Sequence, residues 1–116
     1  LAVFNLFTHN RDDHAKNFSF MLDEKNLWKL TPAYDLTFSY GVGTEHSTTY
    51  LNEGKNPTVN HLEKLALKHG IKEYKQIIDE VKSGILEFSN IAKDVELPKE
   101  EIVSLSKIFG ELIGKR

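Results

Sequence analysis

From Thr58 to the C-terminus the apolar residues recur at three- and four-residue steps, which commits this half of the chain to helix. Val59, Leu62, Leu65 and Ala66 share one helical face, and Gly70 stands where a C-terminal cap belongs. Tyr74, Ile77, Ile78, Val81, Ile85 and Phe88 make a second stripe, weakened by Gly84. Pro98 suits the first position of a third helix, with Ile102, Leu105, Phe109, Leu112 and Ile113 facing inward. Such stripes read as scaffold. The chemistry has to come from the remaining residues.

The first half reads differently. Leu1–Phe7, "LAVFNLF", has the character of the last two turns of a helix. Phe18, Phe20 and Leu22 alternate with Ser19 and Met21, "DEKN" at Asp23–Asn26 is turn chemistry, and "LWKL" at Leu27–Leu30 is the return strand of a hairpin. Pro32 lacks a ladder donor and closes that strand. Residues 37–57 are loop-like, broken by Gly41, Gly43, Gly54 and Pro57, with His46–Leu51 as a candidate short edge strand. Trp28 is assigned to the core, and Tyr34 packs beneath the hairpin in the plainest reading. The expectation is one domain, mainly α with a small β-hairpin. Its parts are residues 1–36 (polar loop, hairpin and the segment through Asp35), 37–57 (loop) and 58–116 (helical region).

Composition narrows the functions. With 116 residues, 40% of them apolar, one modest core is the limit. No apolar run approaches the roughly 20 residues that span a bilayer, so no membrane partner is expected. Fifteen Lys and Arg against seventeen Asp and Glu leave a net charge of −2, too little basic field for direct nucleic-acid binding. Cysteine is absent, which excludes a disulfide framework and a thiolate metal site and fits a reducing cytoplasm. The apolar first segment, starting at Leu1, reads as a cut inside a larger protein.

The chemistry-bearing stretch is Asn10–Phe20, "NRDDHAKNFSF". An antiparallel hairpin brings the residue before its first strand beside the residue after its second, with strands about 4.8 Å apart. Asn17 and Asp35 occupy those places. An amide oxygen and a carboxylate are hard ligands suited to Mg2+, provided that waters or nucleotide phosphates complete the shell. Asp12 precedes Asn17 by five residues, the spacing of the protein-kinase catalytic loop, where an aspartate precedes a metal-binding asparagine. Arg11 extends the match to "RDxxxxN", and Asp35 takes the place of the second metal-binding aspartate. His9 and His14 raise zinc as an alternative, without further ligands at suitable spacing.

"DDHAKNFSF" followed by "LTPAYDL" resembles the C-terminal part of HipA-type serine/threonine kinase toxins, which carry Asp-x-His-x-Lys-Asn, a strand, then Leu-x-Pro-x-Tyr-Asp. "GKNPTVNHLEKLALKHGI" is similar to that family's helical tail. The resemblance is sharpest over Asp12–Leu36 and thins towards Arg116. It implies the helical C-terminal lobe of a kinase-like fold, with the N-terminal lobe missing and the fragment inactive alone. Asp12 would be the catalytic aspartate that accepts or orients the substrate hydroxyl proton. Asn17 and Asp35 would hold Mg2+ against the phosphates of ATP, and His14, Lys16 and Tyr34 would line the nucleotide side. The implied partners are ATP, a protein substrate (known members act on aminoacyl-tRNA synthetases) and an antitoxin protein. Two departures stand out. Asn10 replaces the kinase "HRD" histidine, which leaves the support of Arg11 open, and "DFG" becomes "DLT" at Asp35–Thr37. Asp13, in a variable slot, is expected to be solvated, and His61 and His69 are assigned no role. Ser47, Thr48 and Thr49 read as an ordinary hydroxyl run in a loop. A non-catalytic interaction module and a metal-dependent phosphohydrolase using Asp12, Asp35 and His14 are the competing classes.

Overall fold

The structure is a computed structural model that describes residues 1–115. Within them the order is helix α1 (Ala2–Phe7), strands β1 (Phe20–Leu22) and β2 (Trp28–Leu30), then helices α2 (Val59–Lys68), α3 (Tyr74–Leu86), α4 (Phe88–Asp94) and α5 (Lys99–Lys115). The expected class, mainly α with one small antiparallel hairpin, is what is observed. No helix among the described residues is long and apolar enough to cross a membrane.

Six residues are too few to hold a helix by propensity. Burial holds α1, whose Leu6 and Phe7 are wholly enclosed in a cluster with Tyr50, Leu62, Ile78, Ile85 and Phe109. That cluster joins both halves of the chain, and the Tyr50 hydroxyl donates to the Ala2 carbonyl at 3.0 Å. The end of α2 follows expectation. Gly70 sits at φ +68°, its N–H reaches the Leu67 carbonyl, and the Ile71 N–H reaches Ala66, the paired bonds of a Schellman cap. His61, given no role by sequence, caps the other end: its Nδ1 accepts the Thr58 backbone N–H at 3.1 Å.

Four local expectations are corrected. The second stripe is not one helix, because the chain turns at Glu87, whose N–H bonds back to Gly84 in a tight i→i+3 step before α4 begins. Pro98 is not the first helical residue of α5. Its carbonyl accepts the Ile102 N–H, and helix starts at Lys99. His46–Leu51 forms no strand. Tyr50 and Glu53 bridge around Leu51 (φ +55°) and Asn52 (φ +72°), a tight turn with both central residues left-handed. Trp28 is 72% exposed rather than core. The hairpin pairs Phe20 with Leu30 and Leu22 with Trp28, so those four side chains share one face, and nothing among the described residues covers it.

Candidate functional site

The hairpin sets the geometry. Asp23 makes its turn, its Oδ1 accepting the backbone N–H groups of Lys25 (2.8 Å) and Leu27 (2.9 Å) while its Oδ2 meets Lys29 Nζ at 2.6 Å. The Lys29 contact first, then those backbone donors, hold the Asp23 carboxyl below the ordinary carboxylate value. At the open end the Thr31 N–H bonds to the Ser19 carbonyl at 2.9 Å. The Tyr34 hydroxyl then donates to the Lys16 carbonyl at 2.8 Å and takes the Ser19 hydroxyl at 2.6 Å. Residues 16 and 34 are therefore in contact, and their chain neighbours Asn17 and Asp35 flank that contact. Asp35 is exposed and left-handed at φ +53°, a conformation a non-glycine residue adopts at some cost and one that recurs at functional sites.

On the other side, residues 11–13 run without regular structure, yet each carbonyl is bonded by a side chain. Ser47 Oγ donates to the Arg11 carbonyl at 3.1 Å, where the Ser47 N–H also bonds. Asn17 Nδ2 donates to the Asp12 carbonyl at 2.8 Å. Thr48 Oγ1 makes a short bond to the Asp13 carbonyl. The Asn17 amide is oriented as a result: with Nδ2 spent on a carbonyl, its Oδ1 is the atom left to accept or to ligate. The Asp12 side chain stays half-exposed, with His14 Nε2 3.7 Å from its Oδ1. A fixed backbone thus carries an accessible carboxylate.

Asp13 is not solvated, contrary to expectation. It is 2% exposed, its Oδ2 lies 2.9 Å from His46 Nδ1, and its Oδ1 accepts the Thr48 N–H at 3.0 Å. His46, wholly buried against the Tyr50 ring, is the residue the sequence reading missed. Its partner is 33 residues away, so no local pattern announces the pair.

The support of Arg11 is also settled. Its guanidinium is buried and donates through Nη2 to the Lys55 carbonyl at 3.3 Å. Desolvation lowers its pKa, and the charge of Glu45 opposes that shift. Asn10, in the place of the kinase histidine, is buried and donates through Nδ2 to Asn5 Oδ1 at 3.0 Å. Gly41 closes against this segment at φ +71°, where a Cβ would stand 2.7 Å from Arg11 Cβ and 2.5 Å from the Glu45 carbonyl. A side chain there meets both a left-handed backbone and a clash. Beneath Leu36–Phe38 an apolar cavity of about 520 Å³ opens onto Phe4, Val81, Ile85, Leu105 and Phe109.

His14 and Lys16 stand beside Asp12 and Asn17 on the loop, Lys16 exposed and tied in through its carbonyl. Among the described residues no three His, Cys, Asp or Glu side chains group to hold a metal ion.

A helical domain bearing this loop-and-hairpin site matches a known family model, that of the HipA-like C-terminal domain, over residues 1–87. The chain belongs to that family. The match spans α1, the loop, the hairpin and the helices through α3, and ends one residue before α4. No curated protein and no solved structure matches the chain significantly.

Proposed function

We propose that this chain carries the catalytic loop of an ATP-dependent serine/threonine kinase of the HipA toxin type. The observation that supports it most is the pinned Arg11–Asp13 backbone presenting an accessible Asp12 carboxylate beside the hairpin's open end. Asp12 accepts or orients the proton of the attacking hydroxyl. Asn17 Oδ1 and the Asp35 carboxylate are the oxygens that would hold Mg2+. They fit it, because the Asn17 amide is already turned with its oxygen free and Asp35 has no hydrogen bond or ion pair among the described residues. Bound with ATP, Mg2+ supplies charge neutralisation at the phosphates. Lys16 and His14 add positive or donor groups on the nucleotide side. Tyr34 acts through the loop, since its hydroxyl is spent on Lys16 and Ser19. By family, the substrate is a seryl or threonyl side chain of a protein such as an aminoacyl-tRNA synthetase, and the restraining partner is an antitoxin.

The test uses the intact protein. Asp12→Ala should abolish transfer of the γ-phosphoryl group while MgATP binding stays within about threefold of the parent. Transfer at the parental rate would overturn the assignment. The uncovered apolar face of Phe20, Leu22, Trp28 and Leu30 favours a second reading, a non-catalytic interaction module. A module would bind its partner equally well with and without nucleotide and would show no transfer in the parent protein.

A further inference from the structure

Asp12 sits between two carbonyls that the same remote loop holds. Ser47 Oγ bonds the carbonyl before it and Thr48 Oγ1 the carbonyl after it. The loop is itself anchored to residue 13 twice over: His46 Nδ1 on Asp13 Oδ2, and the Thr48 N–H on Asp13 Oδ1. The His46 N–H bonds the Gly54 carbonyl at 2.8 Å, and Tyr50 packs on the His46 ring, so the loop is fixed from behind as well. Neither hydroxyl touches the Asp12 carboxylate. What they determine is where its backbone stands.

We propose that Ser47 and Thr48 are positioning residues for Asp12, set in place by the buried Asp13–His46 pair. The inference rests on the reading of Asp12 given above. Misplacing a catalytic group by about 1 Å costs up to roughly a hundredfold in rate without a matching loss of binding. A scaffold residue, by contrast, alters stability and leaves the turnover of the folded fraction alone.

The test compares Thr48→Val, which keeps the shape and loses the hydroxyl, with Thr48→Ser, which keeps the hydroxyl, in the intact protein beside Asp12→Asn. Thr48→Val should lower kcat about tenfold or more while KM for ATP stays within about twofold, and Thr48→Ser should restore at least half of the parental kcat. If Asp12→Asn is inactive and Thr48→Val turns over like the parent, the positioning role is overturned and the reading of Asp12 stands. If Asp12→Asn turns over like the parent, the reading of Asp12 fails and the positioning role fails with it. Should Thr48→Val not fold, Ser47→Ala removes one hydroxyl and leaves the Ser47 N–H on the Arg11 carbonyl. It should lower kcat about threefold at unchanged KM, and a parental kcat would overturn the inference.

Discussion

The two halves of this protein are held together by different forces. In residues 58–115 order comes from apolar faces: Leu62, Ile78, Ile85 and Phe109 lie in the core, while Gln76–Glu80, Asn90–Glu87 and Lys115–Glu111 are short-range side-chain pairs on the surface. In residues 8–57 order comes from polar side chains that reach across the chain to backbone groups, as Arg11 does to Lys55, Ser47 to Arg11 and Thr48 to Asp13. Apolar packing is non-directional and tolerates small shifts. A hydrogen bond to a carbonyl fixes both a distance and a direction. The Arg11–Asp13 segment, which carries the exposed Asp12 carboxylate, is built with the second kind of force, on a scaffold built with the first.

Substitutions should separate the two. Phe109→Ala, which empties a site packed against Phe38 and Phe88, should cost about 3–5 kcal/mol of global stability in denaturant unfolding. The same denaturation should find Asp13→Ala less costly, about 2–4 kcal/mol, because it strands the buried His46 Nδ1 and Thr48 N–H. The amides whose hydrogen exchange accelerates most in Asp13→Ala should be those of residues 46–48, with α5 unchanged relative to the global loss. An Asp13→Ala chain in which α5 and the loop open together would erase the distinction between the halves.

The smallest effect belongs to the hairpin turn. The folded Asp23 carboxyl titrates below its unfolded value near 3.9, so its contribution is fully present above that range. It is lost as pH falls through the lower, folded value. Hairpin resonances of Phe20–Leu30 should hold their neutral-pH positions down to about pH 4 and move only below it. In Asp23→Asn that pH-dependent step should vanish.

Much of this arrangement was legible. The hairpin follows from alternation around a turn-forming "DEKN", and the contact of Tyr34 with Lys16 and Ser19 follows from where a hairpin's ends must lie. What escaped depends on contacts distant in sequence or on faces that periodicity cannot distinguish. Asp13 looked like one more loop charge because its partners lie 33 to 35 residues on. Alternation put Phe20, Leu22, Trp28 and Leu30 on one face but does not say whether that face is covered. The break at Glu87 escaped because the apolar stripe continues across it into Phe88. Glu96, at φ +57° where a helix end usually takes glycine, gave no compositional sign that α4 stops there.

In the function proposed above, the hairpin brings Asn17 and Asp35 to one cation beside Asp12. Mn2+ titrated with ATP into the intact, isotope-labelled protein tests it directly, because paramagnetic broadening falls steeply with distance from the ion. The amides and side chains of Asn17 and Asp35 should broaden first and together at substoichiometric Mn2+, with Asp12 close behind, and Asp35→Ala should abolish the effect at Asn17. Broadening at only one of the two residues, or undiminished broadening at Asn17 in Asp35→Ala, would contradict it.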